Sequence, residues 1–265
     1  MATRIQLCGK VVLDVDGQRL EGRLAGKQGL LVFAYLAANR RRIVGRRELT
    51  EVLWPFQPPA DPEAALTVVL SKLRSALGAA SIEGRSELRL SLPDAWIDLE
   101  AAQEAIHRAE AAVARSDWTG AWAPARVALH IAQRGFLPGL DVPWIVERRR
   151  TLEELQLRAL RCVGESGLGL GGAEFAAAER AGRALVSLAP FRETGSLLLM
   201  RALVAHGDIS EALRTYEALR TLLREELGTT PAQEVQALYQ QLLRGTARPA
   251  FNARPAPDNL PEMSG

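Results

Sequence analysis

Small, polar and basic side chains recur at helical spacing between Asp61 and Leu77, and their types suit contact with a nucleic acid. Hydroxyl groups can hydrogen-bond to base edges, cationic groups bind phosphate, and an exposed valine can contact the methyl group of thymine. On a helical wheel no carboxylate falls among them. An ordinary solvated helix can have the same composition, so the pattern alone leaves both interpretations open. We call this set the contact face, and its members are Ala64, Thr67, Val68, Ser71, Lys72, Arg74 and Ser75.

The element that must position the contact face is an amphipathic helix that starts at Asp61 or Pro62 and ends at Leu77. An aspartate accepts hydrogen bonds from first-turn N–H groups, and a proline in the first turn misses no intrahelical donor. Apolar side chains recur on the opposite side at three- and four-residue spacing, which predicts the buried stripe of the helix. These side chains are Leu66, Val69, Leu70, Leu73 and Leu77.

The segments around this helix predict a winged helix. Before it come short strands over Arg4–Leu24, a helix over Gly26–Asn39 and a shorter helix over Gly45–Trp54. After it come a turn at Gly84–Ser86 and a strand over Glu87–Leu92, in which leucines alternate with polar residues. Three helices followed by a β-hairpin form a winged helix, a variant of the helix-turn-helix in which one helix enters the major groove of DNA.

Further cations flank the predicted recognition helix. Arg46 and Arg47 start the second helix, where they could hold the DNA backbone, and Arg85 at the hairpin tip could reach the neighbouring minor groove. Five arginines form a cluster within eight positions, which favours a polyanion but also fits a solvated helix end: Arg40, Arg41, Arg42, Arg46 and Arg47. The predicted DNA-binding residues are Arg46, Arg47, Thr67, Val68, Ser71, Lys72, Arg74, Ser75 and Arg85.

The overall composition is that of an ordinary globular protein. The 265 residues suffice for two domains, with 24% charged and 48% apolar residues and a formal charge of +2. Residues 1–98 hold 14 Lys and Arg against 11 Asp and Glu, so the positive excess lies in this part. No signal peptide and no apolar run of membrane-spanning length is present, which makes the cytoplasm the expected compartment.

Catalytic and metal-binding patterns are missing from the sequence. Its two cysteines and three histidines lie far apart, so we expect no disulfide, no metal site, no cofactor and no enzymatic activity. Gly167–Gly172 matches the glycine spacing of a dinucleotide-binding loop, but a helical pattern precedes it where that motif needs a strand. We therefore interpret Gly167–Gly172 as a loop between two helices.

The second half of the chain predicts helices alone, in repeated pairs. Similar motifs start at Asp117, Ala173 and Asp208. The spacing between the last two motifs is close to the ~34-residue period of tetratricopeptide arrays. The longer first interval predicts an insertion around Gly135–Thr151. We expect a winged-helix domain at 1–97, a tetratricopeptide-like domain at 98–245, and a disordered tail at 246–265, which is rich in proline and poor in apolar residues.

Short motifs recur in a fixed order along both halves of the chain. They are Ala25–Gln28, Glu48-Leu49, Leu53-Trp54, Leu70–Arg74, Ala76–Gly78, Trp144, Arg148, Glu211–Leu213, Tyr216, Leu219-Arg220, Glu225–Gly228, Pro231 and Glu234. With these motifs the sequence from about Arg4 to Arg244 resembles the SARP-type bacterial transcriptional activators, the antibiotic-regulatory-protein family. Lys72 stands where that family usually has arginine, and Glu87-Leu88 stand where it often has Gly-Tyr.

This resemblance implies an OmpR-like winged helix joined to a bacterial transcriptional activation domain of tetratricopeptide type. It also implies a sequence-specific activator that binds direct repeats in double-stranded promoter DNA and contacts RNA polymerase holoenzyme, with a homodimer on DNA as one arrangement. No phosphopeptide-binding or ATPase domain follows, so a small, stand-alone member is expected. Two alternatives remain: a protein-interaction scaffold that no longer binds DNA, and a small-molecule sensor with its ligand in the concave face of the repeat domain.

Overall fold

A computed structural model describes residues 3–92 and 94–245 of the chain, and the predicted tail at 246–265 lies outside them. The described residues form two compact units. Unit 1 contains the residues up to His107 together with Arg126–Gln156, and unit 2 contains Arg108–Ala125 together with the described residues from Leu157 onward. The predicted domain boundary after residue 97 remains a prediction.

Unit 1 begins with a small sheet whose last strand comes from much later in the chain. Its strand order is β3-β2-β1-β7, and β1 pairs in parallel with β7 and antiparallel with β2. A hairpin turn at Asp16-Gly17 joins β2 to β3, and Asp14 Oδ1 accepts a hydrogen bond from the Gly17 N–H at 2.9 Å. The strands are β1 (Arg4–Gln6), β2 (Val12–Val15), β3 (Gln18–Arg19) and β7 (Trp96–Ile97).

The winged helix follows in the predicted order. A second sheet, of order β4-β6-β5, carries the wing, and its tip contains Gly84. A Cβ atom at Gly84 would lie 1.7 Å from the Glu87 carbonyl oxygen, and φ there is +87°, so only glycine fits this turn. The elements are α1 (Gly26–Ala38), β4 (Val44–Gly45), α2 (Arg46–Leu53), α3 (Pro62–Leu77), β5 (Ile82–Glu83) and β6 (Glu87–Leu90).

The core of the winged helix is built from the periodic apolar residues. Phe33 of α1, Leu49 of α2 and Leu66 of α3 are fully buried, and Leu88 of β6 is buried among the same elements. Asp61 caps α3 as the sequence predicts, because its Oδ1 accepts a hydrogen bond from the Ala64 N–H at 2.9 Å. The helix thus presents its apolar stripe inward and its contact face outward.

The predicted insertion between the helical repeats belongs to unit 1. It joins α5 to α6 and packs beside the first strand: Cys8 and Phe136 form an isolated β-bridge, and the Leu137 N–H donates to the Leu7 carbonyl oxygen at 3.0 Å. Trp144 packs edge-on against Phe136 at a centroid distance of 5.7 Å. The helices of this region are α4 (Asp98–Ala114), α5 (Trp118–Ala132) and α6 (Pro143–Leu170).

Asp98 is a fully buried carboxylate at the start of α4. It accepts hydrogen bonds from the N–H groups of Leu7 at 3.0 Å and Cys8 at 2.8 Å, and its Oδ2 lies 3.7 Å from the guanidinium Nη2 of Arg134. Burial raises the pKa of the Asp98 carboxyl against the opposing effect of these donors. The carboxylate thereby satisfies backbone donors that β1 leaves unpaired where the strand ends.

Unit 2 contains the tetratricopeptide-like repeats. α8 packs between α7 and α9, and its buried residues Met200 and Leu203 join a core that includes Tyr216. Two of the repeated motifs cap their helices identically, since Asp117 accepts from the Gly120 N–H and Asp208 from the Glu211 N–H. The helices that complete this unit are α7 (Phe175–Leu188), α8 (Glu193–His206), α9 (Ile209–Leu227) and α10 (Gln233–Leu243).

The predicted loop at Gly167–Gly172 is wrong for its first four residues, because α6 continues through Leu170, whereas Gly171 and Gly172 connect α6 to α7 with positive φ. Within α6, Gly167 and Gly169 are required by close packing. A Cβ atom at Gly169 would lie 2.3 Å from the Trp118 ring, and one at Gly167 would lie 2.9 Å from the Glu174 carbonyl oxygen. Within the described residues, no helix is long and apolar enough to cross a membrane.

Candidate nucleic-acid interface

The contact face of α3 is exposed, as the helical spacing predicts. Leu66, Leu70 and Leu73 are at most 1% exposed, whereas Val68 is 54% exposed on the other side of the helix. Ala64, Thr67, Ser71, Lys72 and Ser75 are exposed on this side as well, and Arg74 is half-buried at its edge.

Arg46 joins three elements of the winged helix and is not a free cation. Its Nε donates to Glu63 Oε2 at 2.7 Å, and its Nη2 donates to the Thr67 hydroxyl oxygen at 2.7 Å. Its backbone N–H donates to the Ser86 carbonyl oxygen of the wing at 3.2 Å. Only 22% of the Arg46 side chain is exposed. We therefore interpret Arg46 as holding α2, α3 and the wing in register, rather than primarily as a phosphate ligand.

Arg74 has a similar bracing role. Its Nε donates to the Ile82 carbonyl oxygen at 3.0 Å, and its Nη2 donates to the Gly84 carbonyl oxygen at 2.7 Å. These two bonds tie the last turn of α3 to the strand that leads into the wing. The relative positions of α3 and the wing are thus set by two arginines, Arg46 of α2 at the start of α3 and Arg74 in its last turn.

Three of the predicted cations point away from the fold. Lys72 of α3 and Arg85 of the wing make no side-chain hydrogen bond or ion pair with any other residue that the structure describes. The Arg47 side chain is 92% exposed and forms only an i,i+4 pair with Glu51. Exposed pairs of this kind contribute at most about 1 kcal/mol, so Arg47 can exchange its partner for a phosphate.

The other arginines of the cluster are held by carboxylates, which sequence spacing could not reveal. Arg40 donates from Nε to Glu100 at 2.8 Å and from Nη1 to the Ala95 carbonyl oxygen at 2.8 Å. Arg42 donates to Glu48 at 3.0 Å and to the Tyr35 hydroxyl oxygen at 3.1 Å. The hydrogen bond from Arg42 lowers the pKa of the Glu48 carboxyl. Much of the cluster's charge is therefore neutralised inside the fold.

Glu63 and Glu87 are acidic residues beside the interface. Glu63 lies in the first turn of α3 with 56% of its side chain exposed, although Arg46 holds one of its carboxylate oxygens. Glu87 is exposed as the first residue of β6. The described residues contain no group of three or more His, Cys, Asp or Glu side chains that could hold a metal ion.

Comparison with known proteins identifies the family. The family model of the bacterial transcriptional activator domain matches residues 97–243. The chain is 31% identical to the regulatory protein AfsR of Streptomyces coelicolor over 92% of its own length and 24% of AfsR. It is 29% identical to the transcriptional regulatory protein EmbR of Mycobacterium tuberculosis over 90% of its own length and 62% of EmbR.

A solved structure of Mycobacterium tuberculosis EmbR in complex with a low affinity phosphopeptide has the same fold, with a TM-score of 0.79 and 26% identity. The alignment covers 93% of this chain and 66% of that one. The chain thus spans about a quarter of AfsR and less than two thirds of EmbR. These relatives are named as regulators, and the family is not one of enzymes, in agreement with the sequence-based expectation. The chain belongs to the bacterial transcriptional activator domain family, as its resemblance to the SARP-type activators predicts.

Proposed function

We propose that the chain binds double-stranded promoter DNA in a sequence-specific manner, with α3 in the major groove and the wing beside it. The observation that carries this proposal is the contact face: half of a well-packed helix is exposed, small, polar or basic, and includes an exposed valine. A recognition helix needs close approach to base edges, and short side chains permit it.

In this proposal the predicted DNA-binding residues have different roles. Val68 contacts a thymine methyl group, and Ser71 and Ser75 hydrogen-bond to base edges or phosphates. Lys72 and Arg47 bind phosphates, which fixes the register without reading sequence, and Arg85 reaches the minor groove. The Thr67 hydroxyl already donates to the Glu63 carbonyl oxygen at 2.8 Å and accepts from Arg46, so Thr67 mainly positions its neighbours.

A salt titration of duplex binding tests this proposal. Fluorescence anisotropy is measured on a fragment from upstream of the chain's own gene neighbourhood and on a shuffled duplex of equal composition. The affinity should fall linearly with salt on logarithmic axes, and Lys72→Ala should reduce the slope by about 0.9 on both duplexes. Equal affinity for the two duplexes, or no binding at low salt, would contradict sequence-specific recognition.

We further propose that the bound protein activates transcription from direct repeats by recruiting RNA polymerase holoenzyme, as a homodimer or as two independent copies. The description of the matching family as a transcriptional activator domain supports this step. Binding to chromosomal DNA would place the protein in the cytoplasm. Transcription reconstituted with holoenzyme should increase on the direct-repeat template alone, and DNA binding without any increase would argue against recruitment.

A protein-interaction scaffold is the second candidate function. It is favoured by exposed apolar side chains in unit 2, where Leu188, Phe191 and Leu227 are 54%, 48% and 55% exposed. Such residues suit a protein partner. The same salt titration separates the candidates, because a scaffold that no longer binds DNA shows no duplex affinity at any salt concentration.

A further inference from the structure

A cavity of about 270 Å³ opens within unit 1, away from the contact face. Its walls are the C-terminal end of α1 with the following turn, the start of α4, and the first half of α6. Its floor is apolar: Ala37, Ile97, Leu152 and Leu155 line it and are all at least 94% buried. The volume is just below the roughly 300–1,000 Å³ of typical ligand pockets, so only a small ligand fits.

The polar groups at the wall of this cavity have hydrogen-bond donors to spare. Arg148 of α6 uses Nη2 on Asn39 Oδ1 at 3.0 Å and, more weakly, on the Ala38 carbonyl oxygen at 3.4 Å. Within the described part of the chain, Arg148 Nε and Nη1 have no hydrogen-bond partner. Gln103 of α4, also at the wall, is exposed and likewise has no partner there. Arg148 Nε and Nη1 lie on different sides of the guanidinium, so each can donate a single charge-assisted hydrogen bond to an anionic ligand such as a carboxylate.

Several acceptors at the same wall are already occupied. Arg40 holds the Glu100 carboxylate with two hydrogen bonds, and Arg41 lies 3.5 Å from it. At the end of α1, the Ala37 carbonyl oxygen accepts from the Arg40 N–H and the Ala38 carbonyl oxygen from Arg148. The wall carries four arginines and a single carboxylate, Glu100, so it favours an anion over an ammonium ligand. Inorganic phosphate would leave the apolar floor without a contact, whereas the hydrocarbon part of a carboxylic acid can fill it.

We propose that this cavity is a binding site for a small monocarboxylic acid with an apolar body, whose carboxylate pairs with Arg148 and whose hydrocarbon part contacts Leu152 and Leu155. The sensor alternative placed a ligand in the concave face of the repeats, whereas this site lies in unit 1. Its wall includes Arg42, which also bonds to Glu48 of α2. Occupancy would thereby bias the position of α2 and DNA affinity, a consequence that rests on the proposed function.

The binding test uses the full chain without DNA, so its result does not depend on the proposed function. Sodium hexanoate and sodium benzoate are titrated by calorimetry, with hexanamide and benzamide as uncharged controls. At least one acid should bind with a millimolar dissociation constant, as expected for a ligand of fewer than about ten heavy atoms, while its amide binds at least about tenfold more weakly. Absence of binding by both acids, or equal binding of acid and amide, overturns the proposal.

Two variants locate the site. Arg148→Met removes the charge but keeps an unbranched side chain, and it should weaken acid binding at least about tenfold. Arg150→Met is the matched control, since Arg150 is exposed on the same helix and does not line the cavity. Ala38→Leu fills the cavity from α1 without changing charge and should abolish acid binding. This variant tests the location of the site even if Arg148→Met fails to fold. Unchanged binding in Ala38→Leu overturns the assignment to this cavity.

DNA affinity with and without the bound acid then tests the coupling to α2. A change that is absent in Ala38→Leu supports an effector role. An unchanged affinity removes the regulatory consequence and leaves the binding site intact.

Discussion

Helices α3 and α8 are similar in length, 16 and 14 residues, and both are rich in apolar side chains, yet their environments differ. α8 is buried on nearly every side, from Gly195 through Met200 and again at Ala202 and Leu203. α3 buries one stripe and leaves Val68 exposed. Packing within the protein therefore determines the residues of α8, whereas half of α3 has no packing partner among the described residues.

The approach of α7 to α8 shows how strict the packing constraint is. A Cβ atom at Gly182 would lie 2.8 Å from the Leu199 Cα atom, which is backbone and cannot rotate away. No comparable restriction applies to the exposed members of the contact face. Substitutions in α8 should therefore change stability, and substitutions on the contact face should change binding.

The largest expected effect is from Met200→Ala in α8. Met200 is fully buried in the core of the repeats, so its truncation should lower the free energy of unfolding by about 2–5 kcal/mol. Urea denaturation followed by circular dichroism measures it. The matched change Lys72→Ala on α3 should stay within about 0.5 kcal/mol. Similar losses in both variants would break the contrast between the two helices.

Arg46→Ala and Arg47→Ala sharpen the contrast within the interface itself. Arg46→Ala removes hydrogen bonds to Glu63 and Thr67 and should lower the free energy of unfolding by about 1–2 kcal/mol. It should also reduce affinity for the specific site more than for a shuffled duplex, because α3 loses its register with the wing. Arg47→Ala should leave stability unchanged and weaken both duplexes equally. Fluorescence anisotropy with both duplexes and urea denaturation are measured on both variants. If Arg46→Ala and Arg47→Ala have the same stability and the same duplex affinities, Arg46 has no positioning role.

Val68→Ser probes the contact face without changing charge. Its unfolding free energy should stay within about 0.5 kcal/mol of the parent, since Val68 is 54% exposed. Specific binding should weaken by about 1 kcal/mol or more while non-specific binding is unchanged, because the thymine contact is lost. If Val68→Ser loses stability without a selective loss of affinity for the specific site, Val68 packs inside the fold and is not part of the contact face.

The smallest effect concerns pH. The Glu48 pKa is lowered from its usual value of 4.5, chiefly by the hydrogen bond from Arg42, so the charged form favours the folded state. This stabilisation is present above pH 4.5 and is lost as the pH falls through the lower folded-state value. Glu48→Gln should thus be less stable than the parent near pH 7, by less than about 1 kcal/mol because the pair is partly exposed, and the difference should shrink as the pH falls below 4.5. A difference independent of pH would contradict it.

Local sequence signals sufficed to predict α3 and the wing. Asp61 and Pro62 mark the start of α3, and Gly84 marks a turn that only glycine can make. Contacts between residues distant in sequence were not predictable. Gly167 and Gly169 suggested a loop because their packing partners, Glu174 and Trp118, cannot be identified by spacing.

The same limit applies within the candidate site. All nine predicted residues lie on α2, α3 or the wing, and those on α3 have the predicted orientation. Sequence alone could not distinguish cations that are free to bind phosphate from cations bonded within the fold, because the partners of Arg46 lie 17 and 21 residues away. The two-residue strand β7 was also missed, since its strand geometry depends on pairing with β1 rather than on its own sequence.

The residues that cover the end of the first strand come much later in the sequence, which has a consequence for synthesis of the protein. Leu7 and Cys8 are fully buried, but their covering residues, Asp98 and Phe136–Leu137, leave the ribosome about 90 to 130 residues later. At typical translation rates the wait for Phe136 is roughly 6 to 25 seconds. During that interval Leu7 and Cys8 lack their covering residues and can contact other chains. A recombinant fragment ending at Ile97 keeps the pairing of β1 with β7 but lacks Asp98 and Phe136–Leu137, so a fragment that buries Leu7 and Cys8 must extend beyond Leu137.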